Sequence, residues 1–250
     1  MRVSLLHQCL RSLHRDRRGV ATVEFTLAFP VLLFLVLVLL QTAMVMVGRA
    51  YVHYAAFAAT RAAISQVPAD LSGQGGEGPN AIVISNASPK LQAIQRAAAV
   101  AIAPVSGRNE DDHPLFAADA ARDALSGYLA DAGIAEGNWV DRSYAQRLRY
   151  AAHHTRVWLQ VLPPGFDEES TAFVSIPDGA EYTFGPLETV TVRVEHDLAI
   201  SVPYVWRIFA DGDRDDAAGG FATLTSRATL HNEGIDPRLP EEPPLPRVDP

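Results

Sequence analysis

The sequence predicts an α+β protein in which a long N-terminal transmembrane helix continues into an exported domain of several helices and an antiparallel sheet. Two observations lead to this class. An uncharged apolar run of 23 residues extends from Phe25 to Val47, and apolar and polar residues alternate along several segments of the last hundred residues. The predicted divisions are a basic cytoplasmic leader (1–19), the transmembrane helix (20–48), the exported α+β domain (49–232) and a Pro-rich flexible tail (233–250).

The apolar run is long enough to cross a lipid bilayer. As a helix rising about 1.5 Å per residue it would reach about 34 Å, against about 30 Å for the hydrocarbon core. Its centre, Val31–Leu40 with Phe29 before Pro30, has no polar face. A helix in the core of a soluble protein normally keeps one, so the run predicts a membrane span. No second run approaches this length, and a single pass follows.

The charges around the span predict its orientation. The first 19 residues carry five arginines, whereas only Arg49 and Arg61 follow the span closely. The positive-inside bias therefore places the N-terminus in the cytoplasm and everything after Gly48 on the other side of the cell membrane. Cleavage as a secretory signal near Ala56-Phe57-Ala58 is an alternative, but the apolar run exceeds the usual 7–15 residues of such signals.

Charge and cysteine content exclude several classes of function. The first 19 residues carry a net charge of +4, which leaves the remaining 231 residues at −12. Nucleic-acid binding by so acidic a body is disfavoured. With Cys9 as the single cysteine, neither an intrachain disulfide nor a thiolate zinc site can form.

A short motif stands directly before the apolar run. Arg17-Arg18-Gly19-Val20-Ala21-Thr22-Val23-Glu24-Phe25 resembles the processing site of type IV prepilins and pseudopilins. More narrowly, residues 19–63 are similar to the TadE-like family, minor pseudopilins of the tight-adherence (Tad) pilus system. The resemblance rests on Gly19, on Glu24 with Phe25, on Pro30 and on the Ala-rich helix around Arg61, and it thins beyond them to Asn232-Glu233 after the last predicted strand.

The resemblance implies a pilin-like build, a processing step and a set of partners. A membrane prepilin peptidase would cut between Gly19 and Val20, and Glu24 would then meet the new N-terminal amine of a neighbouring subunit. Further implied partners are other pilins or pseudopilins, the inner-membrane pilus platform and the lipid bilayer. Independently of the family, a carboxylate at Glu24 is costly at the edge of the lipid unless it has a partner or function. The alternative is an interfacial charge beside the positive helix dipole.

The exported part begins as a continuation of the membrane helix. Apolar residues Tyr51, Tyr54, Ala58 and Ala62 recur at helical spacing, and Pro68 ends the pattern, which predicts a helix over 20–66. Its Ala-rich face would pack either on the molecule's own body or on other subunits. Further helices are predicted over 89–103, 115–132 and 142–153, bounded by Pro104, Pro114 and Gly133.

Three alternating runs predict strands. One covers 157–161, a longer one has Val190, Val192, Val194, Leu198, Ile200 and Val202 at even positions, and a third runs from Ala222 to Leu230. A Gly-Asp-rich turn at 211–220 would join the last two. Helices covering this antiparallel sheet complete the α+β fold.

The sequence shows no motif for catalysis, metal binding or cofactor binding. The acidic run Asp211–Asp216 lacks the Gly and the terminal acid of a calcium loop, since Asp216 and Ala222 hold those positions. His153 and His154 are adjacent and diverge by about 100° on a helix, so they are expected to be exposed and not to share a metal. We therefore expect a non-enzyme without a cofactor.

The function hypothesis is a structural, membrane-anchored pseudopilin in Tad-type pilus assembly or protein secretion. The first alternative is a single-pass, membrane-anchored exported binding or sensory protein unrelated to pili. The second is an anchored hydrolase, which would need a clustered catalytic set that the sequence does not display.

Overall fold

The computed structural model describes residues 17–74, 76–108, 118–134, 143–162, 173–185, 188–200, 206–213 and 220–232. The helices are α1 (Arg17–Gln66), α2 (Pro89–Ile102), α3 (Ala118–Asp131), α4 (Ala145–His154) and α5 (Trp206–Phe209), with 3-10 turns at Ser72–Gln74 and Ala103–Val105. The strands are β1 (Ala81–Val83), β2 (Thr155–Val161), β3 (Val174–Ser175), β4 (Glu181–Thr183), β5 (Thr189–Ala199), β6 (Gly212–Asp213) and β7 (Gly220–His231). This arrangement confirms the predicted α+β class.

Helix α1 dominates the molecule. Its 50 residues include Pro30 and would extend about 75 Å. The predicted end at Gln66 is confirmed, and the helix already begins at Arg17 within the part that the structure describes. Inside the apolar run the hydroxyl of Thr42 donates to the Val38 carbonyl at 2.8 Å, so this polar group is satisfied within the helix itself.

The main sheet has five antiparallel strands in the order β3-β2-β5-β7-β6. Strands β5 and β7 pair over their full lengths, from Thr189 opposite His231 to Ala199 opposite Phe221. The even positions of β5 are buried, as the alternation predicted. The strand ends at Ala199, and the Ile200 amide still donates to the Gly220 carbonyl at 3.0 Å. Val202, which the alternation places in the strand, lies outside the described residues.

The second half of α1 is the core helix of this domain. Its face of small residues packs against β5, β7 and α2, and the members Val52, Ala55, Ala56, Ala59, Ala63 and Val67 are at most 1% exposed. His53 and Ser226 also meet across the helix–sheet interface, with Nδ1 and Oγ 2.6 Å apart. Of the two alternatives for the Ala-rich face, packing on the molecule's own body is therefore confirmed.

The remaining helices follow the predictions closely. Helix α2 begins at Pro89, and the Ser88 hydroxyl caps it by accepting from the Leu91 amide at 3.0 Å. Helix α3 ends at Asp131 before Gly133, which has a positive φ of 68°. Helix α4 starts at Ala145, three residues later than predicted, because residues 143–144 form a π-type turn. The described residues do not include 115–117 or 142.

The sequence does not predict the short elements of the fold, among them β3 and α5. Strands β1 and β4 form a separate two-stranded antiparallel sheet, and Asn80 at its edge adopts a positive φ of 57°. The predicted turn at 211–220 contains strand β6, which pairs with the start of β7, while residues 214–219 lie outside the described part. Each of these strands is too short for a period of two to appear in the sequence.

A buried lysine fastens the end of α1 to this small sheet. Lys90 is completely buried, and its Nζ donates to the carbonyls of Val67 at 2.9 Å, Gly78 at 2.7 Å and Ala81 at 2.8 Å. Burial lowers the pKa of Lys90, and the carboxylates of Glu77 and Asp70 act in the opposite direction. The ammonium thus joins the carbonyl just after the end of α1 to two carbonyls at the start of the small sheet.

Replacing Lys90 with Met should destabilise the domain that follows the apolar helix by about 3 kcal/mol, because three carbonyl oxygens lose their donor. The measurement is pulse proteolysis of the full chain in detergent across a urea gradient. Arg61→Met, which removes an exposed cation from α1, should shift the midpoint little. Equal midpoints for the two variants would contradict the role assigned to Lys90.

Candidate functional site: the N-terminal helix

The candidate processing bond lies in the first turn of α1. Gly19 and Val20 follow the helix start at Arg17 by two and three residues. The first turn of a helix frays, and glycine is a weak helix former, so this bond can unwind at small cost. Unwinding is needed because a peptidase must reach an extended backbone.

Glu24 lies one turn after Val20 on the same face of the helix. Its side chain is exposed and has no hydrogen-bond or ion-pair partner in the described part of the chain. The following residue, Phe25, is 66% exposed and stacks on Phe29 with ring centroids 5.4 Å apart. A partner for the Glu24 carboxylate must therefore come from a group that this part of the chain does not supply.

The first half of α1 exposes apolar side chains on every side. Twelve large ones are 43–71% exposed: Val23, Phe25, Leu27, Phe29, Val31, Leu32, Leu33, Phe34, Leu35, Val36, Leu39 and Leu40. The structure has one helix in its described residues that is long and apolar enough to cross a membrane, with a mean hydropathy of 2.7 over its most apolar 18 residues and none of these buried. Because soluble monomers do not expose patches of this kind, the helix is a membrane anchor.

Over two turns, α1 changes from a helix exposed on all faces to a helix with one face packed against the rest of the molecule. Gln41 is already fully buried, whereas Met46 and Val47 on other faces are 70% and 51% exposed. At Gly48 the sheet comes so close that a Cβ would lie 2.7 Å from Leu198 Cδ2. Glycine at this position thus permits the close contact between α1 and the end of β5.

Gln41 was missed by the sequence reading. Neither its amide nitrogen nor its amide oxygen has a hydrogen-bond partner among the residues that the structure describes. The sequence does contain a signal for its special position: Gln41 is the first strongly polar side chain in the apolar run that follows Glu24. It marks the level at which protein begins to cover one face of the helix.

The other sequence candidates do not form a second centre. No group of three or more His, Cys, Asp or Glu side chains able to hold a metal occurs among the described residues. Asp211 instead accepts a hydrogen bond from the Thr223 amide at 2.9 Å. His153 is exposed as expected, but His154 is half-buried because its ring stacks on Tyr150 at 4.1 Å.

Single cysteines in a Cys9→Ser background test the anchor. In membranes, Leu32→Cys should resist a water-soluble maleimide and react with a lipid-soluble one, since its side chain faces hydrocarbon. Arg61→Cys, on an exposed site of the same helix, should react with both reagents. Equal labelling of the two positions by the water-soluble maleimide would contradict a membrane-spanning α1.

The family comparison falls on this same helix. Residues 19–61 match a family model described as TadE-like protein, a segment that begins at Gly19 and includes Glu24, Pro30 and Arg61. Neither a curated protein nor a solved structure gives a significant match. The resemblance inferred from the motif is thereby confirmed: residues 19–61 are similar to the TadE-like family.

Proposed function

We propose that the chain is a structural pseudopilin of a Tad-type pilus assembly or secretion system. The family match over residues 19–61 carries this proposal. It coincides with a helix that has a glycine near its start, an unpartnered carboxylate one turn later and a lipid-exposed apolar stretch beyond it. The exported domain is then the part that contacts other components outside the membrane, and no catalytic role is assigned to it.

Processing by a prepilin peptidase is the first step of the proposed function. The peptidase would cut between Gly19 and Val20 at the cytoplasmic face, where Arg17 and Arg18 hold the leader on the cytoplasmic side. The products are a leader with Cys9 and a mature chain with a free amine on Val20. That amine has an unperturbed pKa of about 7.7–8.0 and is mostly protonated at neutral pH.

Glu24 is the proposed assembly residue. Its own chain offers it no partner among the described groups, and a lone carboxylate near the lipid is unfavourable. The amine on Val20 of a neighbouring subunit would neutralise it when two helices pack side by side. Pairing of these two charges would then favour incorporation of the subunit over its free state in the membrane.

The position of the core argues against removal of the helix as a secretory signal. A cut near Ala58 would sever α1 between buried Ala56 and buried Ala59. The mature domain would lose Val52, Ala55 and Ala56, which fill its core. A cut at Gly19 leaves all of these residues in place.

The alternative function is a single-pass, membrane-anchored exported binding protein. A cleft of about 650 Å³ on the exported domain favours it, since this volume is typical of ligand sites. The two functions are compatible when the ligand is another polypeptide.

Intact-mass measurement tests the processing step. In cells that contain the cognate prepilin peptidase, the mature chain should begin at Val20, and in cells lacking the peptidase it should keep the leader. Gly19→Val should block the cut, because a β-branched side chain hinders access to the backbone. A chain that stays full-length in peptidase-positive cells, or that begins near Ala59, would refute the processing step.

Glu24→Gln tests the assembly residue by removing its charge while preserving its size. Membrane insertion should persist, because an amide is less costly in lipid than a carboxylate, and cleavage five residues away should largely persist too. Pilus number should fall at least tenfold, since the neighbour's amine is left without its counter-ion. Glu181→Gln, at an exposed carboxylate of the exported domain, is the control. Normal piliation by a correctly cleaved Glu24→Gln protein would show that Glu24 is only an interfacial charge without a role in assembly.

A further inference from the structure

A cleft of about 650 Å³ lies on the exported domain, and none of its lining residues belongs to α1. One wall is the face of α2 that carries Leu91, Gln95, Arg96 and Ala99, and the opposite wall is formed by Val157 and Leu159 of β2. The loop at 84–86 and residues 178–179 close one end. The cleft is therefore bounded by a helix on one side and by the edge of a strand on the other.

Strand β2 is only partly covered on that edge. Its neighbour β3 pairs with Gln160 and Val161 alone, and the Ile176 amide adds one bond to the Leu159 carbonyl at 3.0 Å. After Pro177 the chain turns away to the small sheet, where the Gly179 amide bonds to the Ile84 carbonyl at 2.6 Å. Within the described part of the chain, residues of β2 before Leu159 thus have no strand beside them on this edge.

The free edge offers backbone hydrogen-bonding groups to the cleft. In an antiparallel strand, alternate residues direct their N–H and C=O groups to the same edge. Because the Leu159 carbonyl is bonded to Ile176, the N–H and C=O of Val157 also point to the cleft side. Neither group has a partner in the described part of the chain. Unpaired groups of this kind are a template for another strand.

The side chains around the edge favour an acidic ligand. Arg96 is exposed, contacts only the Gln92 side chain at 3.1 Å and makes no ion pair among the described groups. Arg156 also lines the cleft, but its guanidinium is paired with Asp197 at 3.1 Å, and the carboxylate in the lining is that of Asp178. Among the described residues of the lining, Arg96 is therefore the arginine without an ion pair, in a chain whose residues after Gly19 carry a net charge of −12.

We propose that this cleft binds an extended segment of another polypeptide, which adds to β2 as a strand at Val157 and places a carboxylate against Arg96. Backbone pairing would supply affinity, while the apolar floor and the arginine would select the side chains. The chain's own tail is a poor occupant, because six prolines among its last 18 residues remove the N–H groups that a strand needs. The proposal does not depend on the pilus function.

Photo-crosslinking identifies the occupant. The full chain is expressed in its native host with benzoylphenylalanine in place of Gln95, inside the cleft. The control carries benzoylphenylalanine in place of Tyr128, an exposed residue of α3. One adduct specific to position 95 is expected, and mass spectrometry of its digest should identify an acidic, proline-free segment of a different protein. No position-specific adduct, or one to the chain's own tail, a proline-rich segment or a non-peptide, would overturn the proposal.

A matched pair of variants tests strand addition with a synthetic peptide of that segment. Val157→Pro removes the N–H that faces the cleft, whereas Val157→Ala shortens the same side chain and keeps the N–H. For the full chain in detergent, Val157→Pro should weaken peptide binding about tenfold relative to Val157→Ala. Equal affinities would overturn the proposal. If Val157→Pro fails to fold, Gln95→Trp fills the cleft without changing the backbone and must abolish binding.

A charge exchange tests the role of Arg96. Arg96→Glu should weaken binding of the acidic peptide about tenfold, and a peptide with Lys in place of its acidic residue should recover the loss. If the affinity is the same with Arg96→Glu as with the unchanged chain, and the same for the Lys peptide as for the acidic one, this arginine does not hold the segment and the proposal is wrong.

Discussion

One uninterrupted helix must satisfy two different surroundings, and the rest of the structure depends on this constraint. From Leu27 to Val36 every residue of α1 is exposed and apolar, as lipid requires. From Val52 to Val67 a single face is buried, and it is made of small residues that let the sheet approach. The C-terminal domain is therefore built onto the apolar helix and shares a core with it.

This arrangement explains where the polar groups of the domain are placed. Lys90 bonds to the carbonyl of Val67, just beyond the last turn of α1, and Thr60 lies 3.2 Å from the Ala228 carbonyl of β7. Such contacts fix the helix lengthwise on the sheet, which apolar packing alone specifies poorly. Forces on the membrane half of the helix would thereby reach the sheet and the cleft beside β2.

The sequence predicts the parts of this fold that repeat regularly. The apolar run, the end of α1 at Gln66 and the alternation along β5 all follow from periodicity or length. The small sheet β1–β4 could not be predicted, since three residues show no period and the positive φ of Asn80 falls on a residue with several common roles in turns. The burial of Lys90 could not be predicted either, because lysine side chains are usually exposed. It depends on carbonyl groups that only the fold brings together. For the candidate site, the motif around Glu24 could be recognised in the sequence. The cleft at Val157 could not, because it depends on the point at which β3 stops pairing with β2.

The central claim, that lipid anchor and domain core are one rigid helix, is tested by a distance between two spin labels. Labels at Leu32 and Arg61 of the full chain in lipid bilayers are separated by 29 residues, or about 44 Å along a continuous helix. Double electron–electron resonance should give one narrow distribution near that distance. A broad distribution, or one centred well below it, would show a hinge between the membrane and the domain and would contradict the claim.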